Sequence, residues 1–229
     1  MNKNVIASLL LAAVGAVPCL AAETLTISNV NYADYSKIIG IQSDLYTGLA
    51  YVGALKLTTE QGDLFGFCID LYDHSNTGVF EVSTLENAPR STNNPNGPMT
   101  AAKADNIRRL YDVAYYDYVL PELEKTPSAA NKDITAAFQL SVWNLIFDND
   151  LSISNGAGSF YTTSSGAFIT YANTWMGQLA DAELASVGAL LNDQYQDYAI
   201  AVPVPAPGAL LLSSMGMVLV GYLRRGRTV

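Results

Sequence analysis

This chain is poor in the residues from which most active sites are built. It has one histidine, His74, and two cysteines. With no cysteine pair and no second histidine, a zinc site of the ordinary ligand type cannot be assembled. Basic residues are also scarce, 12 Lys and Arg against 21 Asp and Glu. Setting aside Lys3 at one end and Arg224, Arg225 and Arg227 at the other takes the formal charge from −9 to −13 for the part between. That balance argues against nucleic acid as a partner and against adhesion to anionic lipid by charge. No internal repeat is present. Tyrosine is plentiful at 14 residues, alongside many Asn, Ser and Thr. This mix is common in exported proteins that bind sugars or other polymers.

The two ends differ from the middle. Lys3 precedes an almost wholly apolar run from Val5 to Val17, and Cys19-Leu20-Ala21-Ala22 supplies small or tolerated residues before a cut. This is the layout of a secretory signal, and it predicts a signal peptide over residues 1–22. A lipoprotein signal using Cys19 is the rival reading, but Pro18 stands where a small residue is expected. Cleavage near Ala21 or Ala22 leaves Cys68 as the one cysteine of an exported protein. At the other end, Val202, Pro203, Val204, Pro205 and Ala206 lead into an apolar stretch from Gly208 to Leu223, followed by Arg224, Arg225 and Arg227. An apolar segment with a basic end is a stop-transfer pattern, with the arginines kept on the cytoplasmic side of the inner membrane.

This order of proline motif, apolar helix and arginine cluster resembles the PEP-CTERM sorting signal of Gram-negative bacteria. The variant nearest to it reads Val-Pro-Leu-Pro-Ala, and Val204 stands where the name-giving motif has glutamate. The resemblance covers residues 202–229. It implies a precursor anchored in the inner membrane and an exosortase-type enzyme that cuts near the prolines. The product passes to the cell surface or the exopolysaccharide matrix. An ordinary C-terminal membrane anchor is the plainer alternative.

Residues 23–201 are enough for one domain with its own core. Alternating or apolar runs predict strands over Thr24–Val30, Tyr51–Thr58, Leu64–Asp70 and Val79–Val82, with a hairpin turn at Gln61-Gly62-Asp63. After an Asn- and Pro-rich break, helical spacing predicts helices from Thr100 to about Val119, from Asn131 or Lys132 to Phe147, and from about Ser165 to Ser186. A last strand is expected at Asp197–Val202. The expected fold class is α+β, a sheet with an inserted helical subdomain of about three helices and a returning strand.

A lone thiol in an oxidising compartment stays free, pairs with another chain or reacts internally. Cys68 lies in the strand-like Gly66-Phe67-Cys68-Ile69-Asp70, and about seventy residues later comes the helical Phe138-Gln139-Leu140-Ser141-Val142-Trp143. A fold that holds the sulfur against the Gln139 carbonyl carbon can reach effective molarities on the order of 10⁵ M. Thiol attack then expels ammonia and leaves an internal thioester. Gln139 and Trp143 are four apart and share a helical face, so Trp143, with Phe67, can keep water off the bond.

The two motifs resemble those of the thioester domains of bacterial surface proteins, with an aromatic residue before a strand cysteine and apolar-Gln-x-x-apolar-aromatic on a helix. They also resemble a group of PEP-CTERM proteins with Phe-Cys-Val-Asp-Leu and Gln-Leu-Ala-Val-Trp in this order. The resemblance implies a β-sandwich or barrel plus a helical subdomain bridged by the Cys68–Gln139 thioester. It implies a non-enzymatic binder that acylates an amine on a surface or matrix ligand, with no cofactor.

Plainer readings stand beside this one. Cys68 can be a small core residue beside an ordinary Gln139 in a structural matrix protein, or it can form an intermolecular disulfide. A Cys68–His74 hydrolase pair matches no arrangement of that kind. Asp70 with Asp73, or Asp148 with Asp150, are acidic enough for calcium, but they lack the loop pattern of alternating oxygen ligands, and turn chemistry explains them equally well. Tyr111, Tyr115, Tyr116 and Tyr118 read as core packing with hydroxyls at the rim, or as a sugar-binding face.

Overall fold

The computed structural model of this chain describes residues 23–90 and 98–202. The expected signal peptide (1–22) and the tail from Pro203 onward, with Pro203, Val204, Pro205, Ala206 and all three tail arginines, lie outside the described residues. Among the described residues no helix is long and apolar enough to cross a membrane.

The fold is α+β, as expected. Nine strands run along the described residues: β1 (Thr24–Asn31), β2 (Ser36–Gln42), β3 (Thr47–Gly53), β4 (Leu55–Thr59), β5 (Gly62–Cys68), β6 (Gly78–Thr84), β7 (Tyr161–Thr162), β8 (Val187–Leu191) and β9 (Tyr198–Ala201). Six close an antiparallel barrel in the order β1-β4-β5-β9-β8-β6, and the other three form a sheet in the order β3-β2-β7. Alternation drives the barrel. In β4, Leu55, Leu57 and Thr59 are buried while Lys56 and Thr58 are not, and in β1 Leu25 and Ile27 face the same interior.

The helices fall between β6 and β8: α1 (Ala101–Leu110), α2 (Leu120–Leu123), α3 (Ala129–Phe147) and α4 (Ala167–Met176). Thr100 caps α1 through the Lys103 amide, and Ser128 caps α3 through that of Asn131. The α3 helix is buried on nearly every side from Thr135 to Ile146, as expected of a helix apolar all round. It is the central spine, and it touches β2, β3, β5, α1 and α4.

The structure corrects four sequence expectations. The segment Tyr51–Thr58 is two strands, because Gly53 turns the chain out of the small sheet and into the barrel. Gly53 has φ +148, and a Cβ there would sit 2.2 Å from the Tyr35 carbonyl oxygen. The first helix does not stop at Val119. It widens to π-helical turns over Tyr111–Val119 and runs on through Pro121, which stands in the first turn of α2, where a missing amide is tolerated. The third helix ends at Met176 and not near Ser186. Past Gly177 the Arg109 guanidinium gathers the carbonyls of Leu179 (3.2 Å) and Ala182 (3.3 Å), which overrides the helix propensity of Leu-Ala-Asp-Ala-Glu-Leu. Finally, the strands β2, β7 and β8 have no counterpart among the expected ones, and β7 lies in the segment read as a polar loop.

Candidate functional site

Cys68 is the last residue of β5. On one side β5 pairs with β9, Cys68 opposite Tyr198, and the Ile69 amide donates to the Asp197 carbonyl (3.1 Å). In an antiparallel ladder alternate residues turn their amide and carbonyl to opposite sides. Cys68 therefore faces the β4 side, where the last registered pair is Leu55 with Gly66. The next slot in register belongs to Gly53, but the chain has left for β3. The side-chain amide of Gln139 from α3 fills that slot. The Cys68 amide donates to Gln139 Oε1 (2.8 Å), and Gln139 Nε2 donates to the Cys68 carbonyl (2.7 Å). Both residues are buried.

The four residues singled out around this bond fall as follows. Cys68, Gln139 and Trp143 come together. The indole N–H of Trp143 is buried with no well-aligned hydrogen-bond partner among the described residues, and its effect is felt at the Cys68 sulfur, where it favours the ionised form. Phe67 is out of phase with Cys68 along β5. It packs at a tilt against Phe138 (4.6 Å between centroids) and meets Tyr115 edge-on (6.3 Å), so it anchors β5 to α3 and the π-helical turns. Tyr111 and Tyr115 join this aromatic cluster in the core, with the Tyr111 hydroxyl buried and not at a rim, while Tyr116 and Tyr118 are exposed.

The thiol donates to the carbonyl oxygen of Asp70 (2.6 Å), not to His74. Burial pushes the Cys68 thiol well above its ordinary value, and the nearby Asp70 charge adds to this. Asp70 is itself fully buried. Its carboxyl accepts the Asp197 amide (2.8 Å) and the Asp73 amide (3.4 Å), which ties the end of β5 to the start of β9. Asp197 in turn accepts the amides of Asn192 (2.7 Å) and Arg90 (2.6 Å). Burial raises Asp70 to about 8 and Asp197 to about 6. Adjacency in sequence pointed to Asp70. Nothing in the sequence pointed to Asp197, which reaches the site through β9.

This pair sets a pH dependence. An unfolded aspartate loses its proton near pH 4, whereas folded Asp70 holds it to about 8. The stabilising contribution is complete below the unfolded value and is lost as pH rises through the folded one, at up to ~1.4 kcal/mol per pH unit. Stability by urea denaturation is expected to fall by a few kcal/mol between about pH 5 and about pH 8. Asp70→Asn is expected to flatten that slope, and an unchanged slope in the variant would refute the assignment.

A cleft of about 420 Å³ opens over the site, with Cys68 and Trp143 on its floor and Tyr32, Tyr46, Leu49, Tyr51 and Tyr72 among its walls. His74 lines it too, and its carbonyl accepts the Gln196 amide (3.2 Å). The other acidic pair lies elsewhere. Asp148 Oδ2 accepts the amides of Ser159 (2.6 Å) and Phe160 (3.0 Å), and Asp150 Oδ1 accepts Asn144 Nδ2 (2.7 Å) and the Ser152 amide (3.0 Å). These carboxylates hold a loop. Gly158, at φ +55, fits over them only because it lacks a Cβ, which would fall 1.9 Å from Asp148 Oδ2.

Comparison with family models, with curated proteins and with solved structures finds no match to this chain.

Proposed function

We propose that this is an exported surface or exopolysaccharide-matrix protein, not an enzyme, carrying an internal Cys68–Gln139 thioester that forms one amide crosslink to an amine-bearing ligand. The observation that carries this reading is the pairing of the Gln139 amide with the backbone of Cys68, in a buried site beneath an open cleft. The Cys68 amide donates to Gln139 Oε1, the oxygen on which negative charge develops when sulfur attacks Cδ. It is therefore a ready oxyanion donor. In the forming step the Sγ–Cδ bond is made and the Cδ–Nε2 bond breaks. The thiol proton leaves with the nitrogen as ammonia. In the crosslinking step a partner amine attacks Cδ, an amide forms and the Cys68 thiol is restored.

Export rests on the signal-like residues 1–22, and sorting on Val202 to Ala206, the following apolar segment and Arg224, Arg225 and Arg227. Together they support an inner-membrane precursor handled by an exosortase-type enzyme in a Gram-negative cell. Nucleic acid is no part of this reading, given the acidic centre of the chain.

Intact mass tests the thioester. The purified protein is expected to be lighter than its sequence by one ammonia, to add methylamine stoichiometrically, and to lose both properties in Cys68→Ala. A full-mass protein whose Cys68 alkylates freely on unfolding would overturn it. One observation favours a second reading, a matrix protein without covalent chemistry. The Gln139 amide completes the ladder beside β5 as a hydrogen-bonded clamp, which is sufficient as structure alone.

A further inference from the structure

The small sheet leaves one edge open beside the reactive site. Among the described residues no strand pairs with β3 on the side away from β2. Which residues face that edge follows from the ladder. Gly40 gives its carbonyl to the Thr163 amide (3.0 Å) and its amide to the Ser164 hydroxyl (2.9 Å), on the β7 side of β2. Gly40 opposes Leu49, so that pair is not hydrogen-bonded across β2 and β3. Leu49, and by alternation Tyr51, therefore turn amide and carbonyl outward. The Leu49 carbonyl is capped by the Tyr46 hydroxyl (2.7 Å).

Three features join this edge to the site. Leu49 and Tyr51 line the same cleft as Cys68 and Trp143. The strand leads through Gly53 toward the slot beside Cys68. The outer face of the sheet is apolar and exposed: Leu49 is 71% and Tyr51 54% accessible, Ile38 lies opposite Tyr51, and the Tyr32 ring leans at a tilt against Tyr51, 4.8 Å between centroids. Long, apolar exposed edges are normally blunted by charge, proline or a covering element, because they template pairing with another chain.

We infer that an extended segment of a partner polypeptide adds to the β3 edge as a further strand and presents a lysine side chain to the acyl group at Cys68. The covalent half of this inference rests on the thioester reading, and the docking half does not. A polypeptide is favoured over a sugar because the outward Leu49 amide and the Tyr51 amide and carbonyl are complemented by another backbone, which replaces the Tyr46 hydroxyl at the Leu49 carbonyl, with alternate side chains reaching the cleft. The acidic centre of the chain suits a cationic residue. The chemistry balances as aminolysis: the lysine nitrogen bonds to Gln139 Cδ, the Sγ–Cδ bond breaks, and one amine proton passes to the thiol.

The test uses the full-length chain and three probes: a capped Thr-Val-Thr-Lys-Thr-Val-Thr peptide, the same peptide N-methylated at alternate residues, and a chitosan oligomer. In Cys68→Ala, where no covalent step is possible, hydrogen exchange is expected to show the plain peptide protecting the Leu49 and Tyr51 amides by about fivefold or more, with no protection from the N-methylated one. In the wild type, intact mass is expected to show the plain peptide adding about tenfold faster than methylamine at equal concentration, through its raised effective concentration. Absent protection, equal protection by the N-methylated peptide, or protection by chitosan instead would overturn strand addition. Protection in Cys68→Ala with no methylamine adduct in the wild type would overturn the lysine delivery and the thioester together, leaving the docking edge standing.

Discussion

Gln139→Ala is expected to be about 3–5 kcal/mol less stable than Cys68→Ala, which keeps the intact glutamine, and to abolish the mass deficit of one ammonia that the proposed thioester gives the wild type. The physical ground is the double hydrogen bond. Measured against the unreacted glutamine that Cys68→Ala retains, alanine strands the buried amide and carbonyl of Cys68 at once, each costing about 1–3 kcal/mol when left without a partner, and leaves a void beside α3; where the thioester has formed, Nε2 has already left as ammonia and only the Cys68 amide is newly stranded. Cys68→Ala removes the same thioester but leaves both backbone groups clamped, so its cost should be much smaller. Gln139→Glu separates the contributions further. It keeps an acceptor for the Cys68 amide but turns an oxygen toward the Cys68 carbonyl. Its stability should recover as pH falls and the carboxyl gains a proton to donate. Urea denaturation of the three variants at two pH values checks this. Equal losses in Gln139→Ala and Cys68→Ala would show that the clamp contributes nothing.

Trp143→Ala is expected to shorten the life of the thioester by about tenfold or more. Trp143 borders the cleft beside Cys68 and rests on Phe160, with 6.3 Å between ring centroids. Truncation opens a water-sized path to the acyl carbon from the cleft. Hydrolysis then adds water across the Sγ–Cδ bond, leaving a glutamate side chain at position 139 and a free thiol. The measurement is the appearance of alkylatable Cys68 with time in folded protein. The variant also loses about 3 kcal/mol or more of packing, so its unfolding midpoint is needed to keep the assay well below it. An unchanged half-life would remove Trp143 from any shielding role.

Half of this site was legible because it is written locally. Cys68 sits in a short strand pattern and Gln139 in a helix pattern, which periodicity alone reads, and the lone cysteine with the resemblance of the two motifs to thioester domains joined them as a pair. The other half depends on chain segments far apart in sequence. Asp197 and Tyr198 reach Cys68 only because β9 closes the barrel next to β5, and no local signal states that neighbour. The β2–β3 hairpin was partly lost because Gly40, Gly48 and Gly53 interrupt its alternation. It then merged into β4, since the break at Gly53 is one of backbone conformation and not of composition. The third helix was drawn too long because Arg109, seventy residues away, captures the carbonyls that would have carried it onward.

The short last strand gives the domain a mechanical character. β9 ends at Ala201, and the Val202 amide still donates to the Ser186 carbonyl (3.1 Å), so a tether at the carboxyl end grips the barrel wall directly. A pull along Val202 runs parallel to β9. It is resisted by ladders on both flanks, four register pairs with β8 and three with β5, which must shear together instead of opening one at a time. On the proposed crosslinking reading, a load entering through Gln139 arrives instead on α3, which the released Cys68 thiol no longer joins covalently to β5. On that reading, the Phe67–Phe138 contact between β5 and α3 lies on the path such a load takes into the barrel.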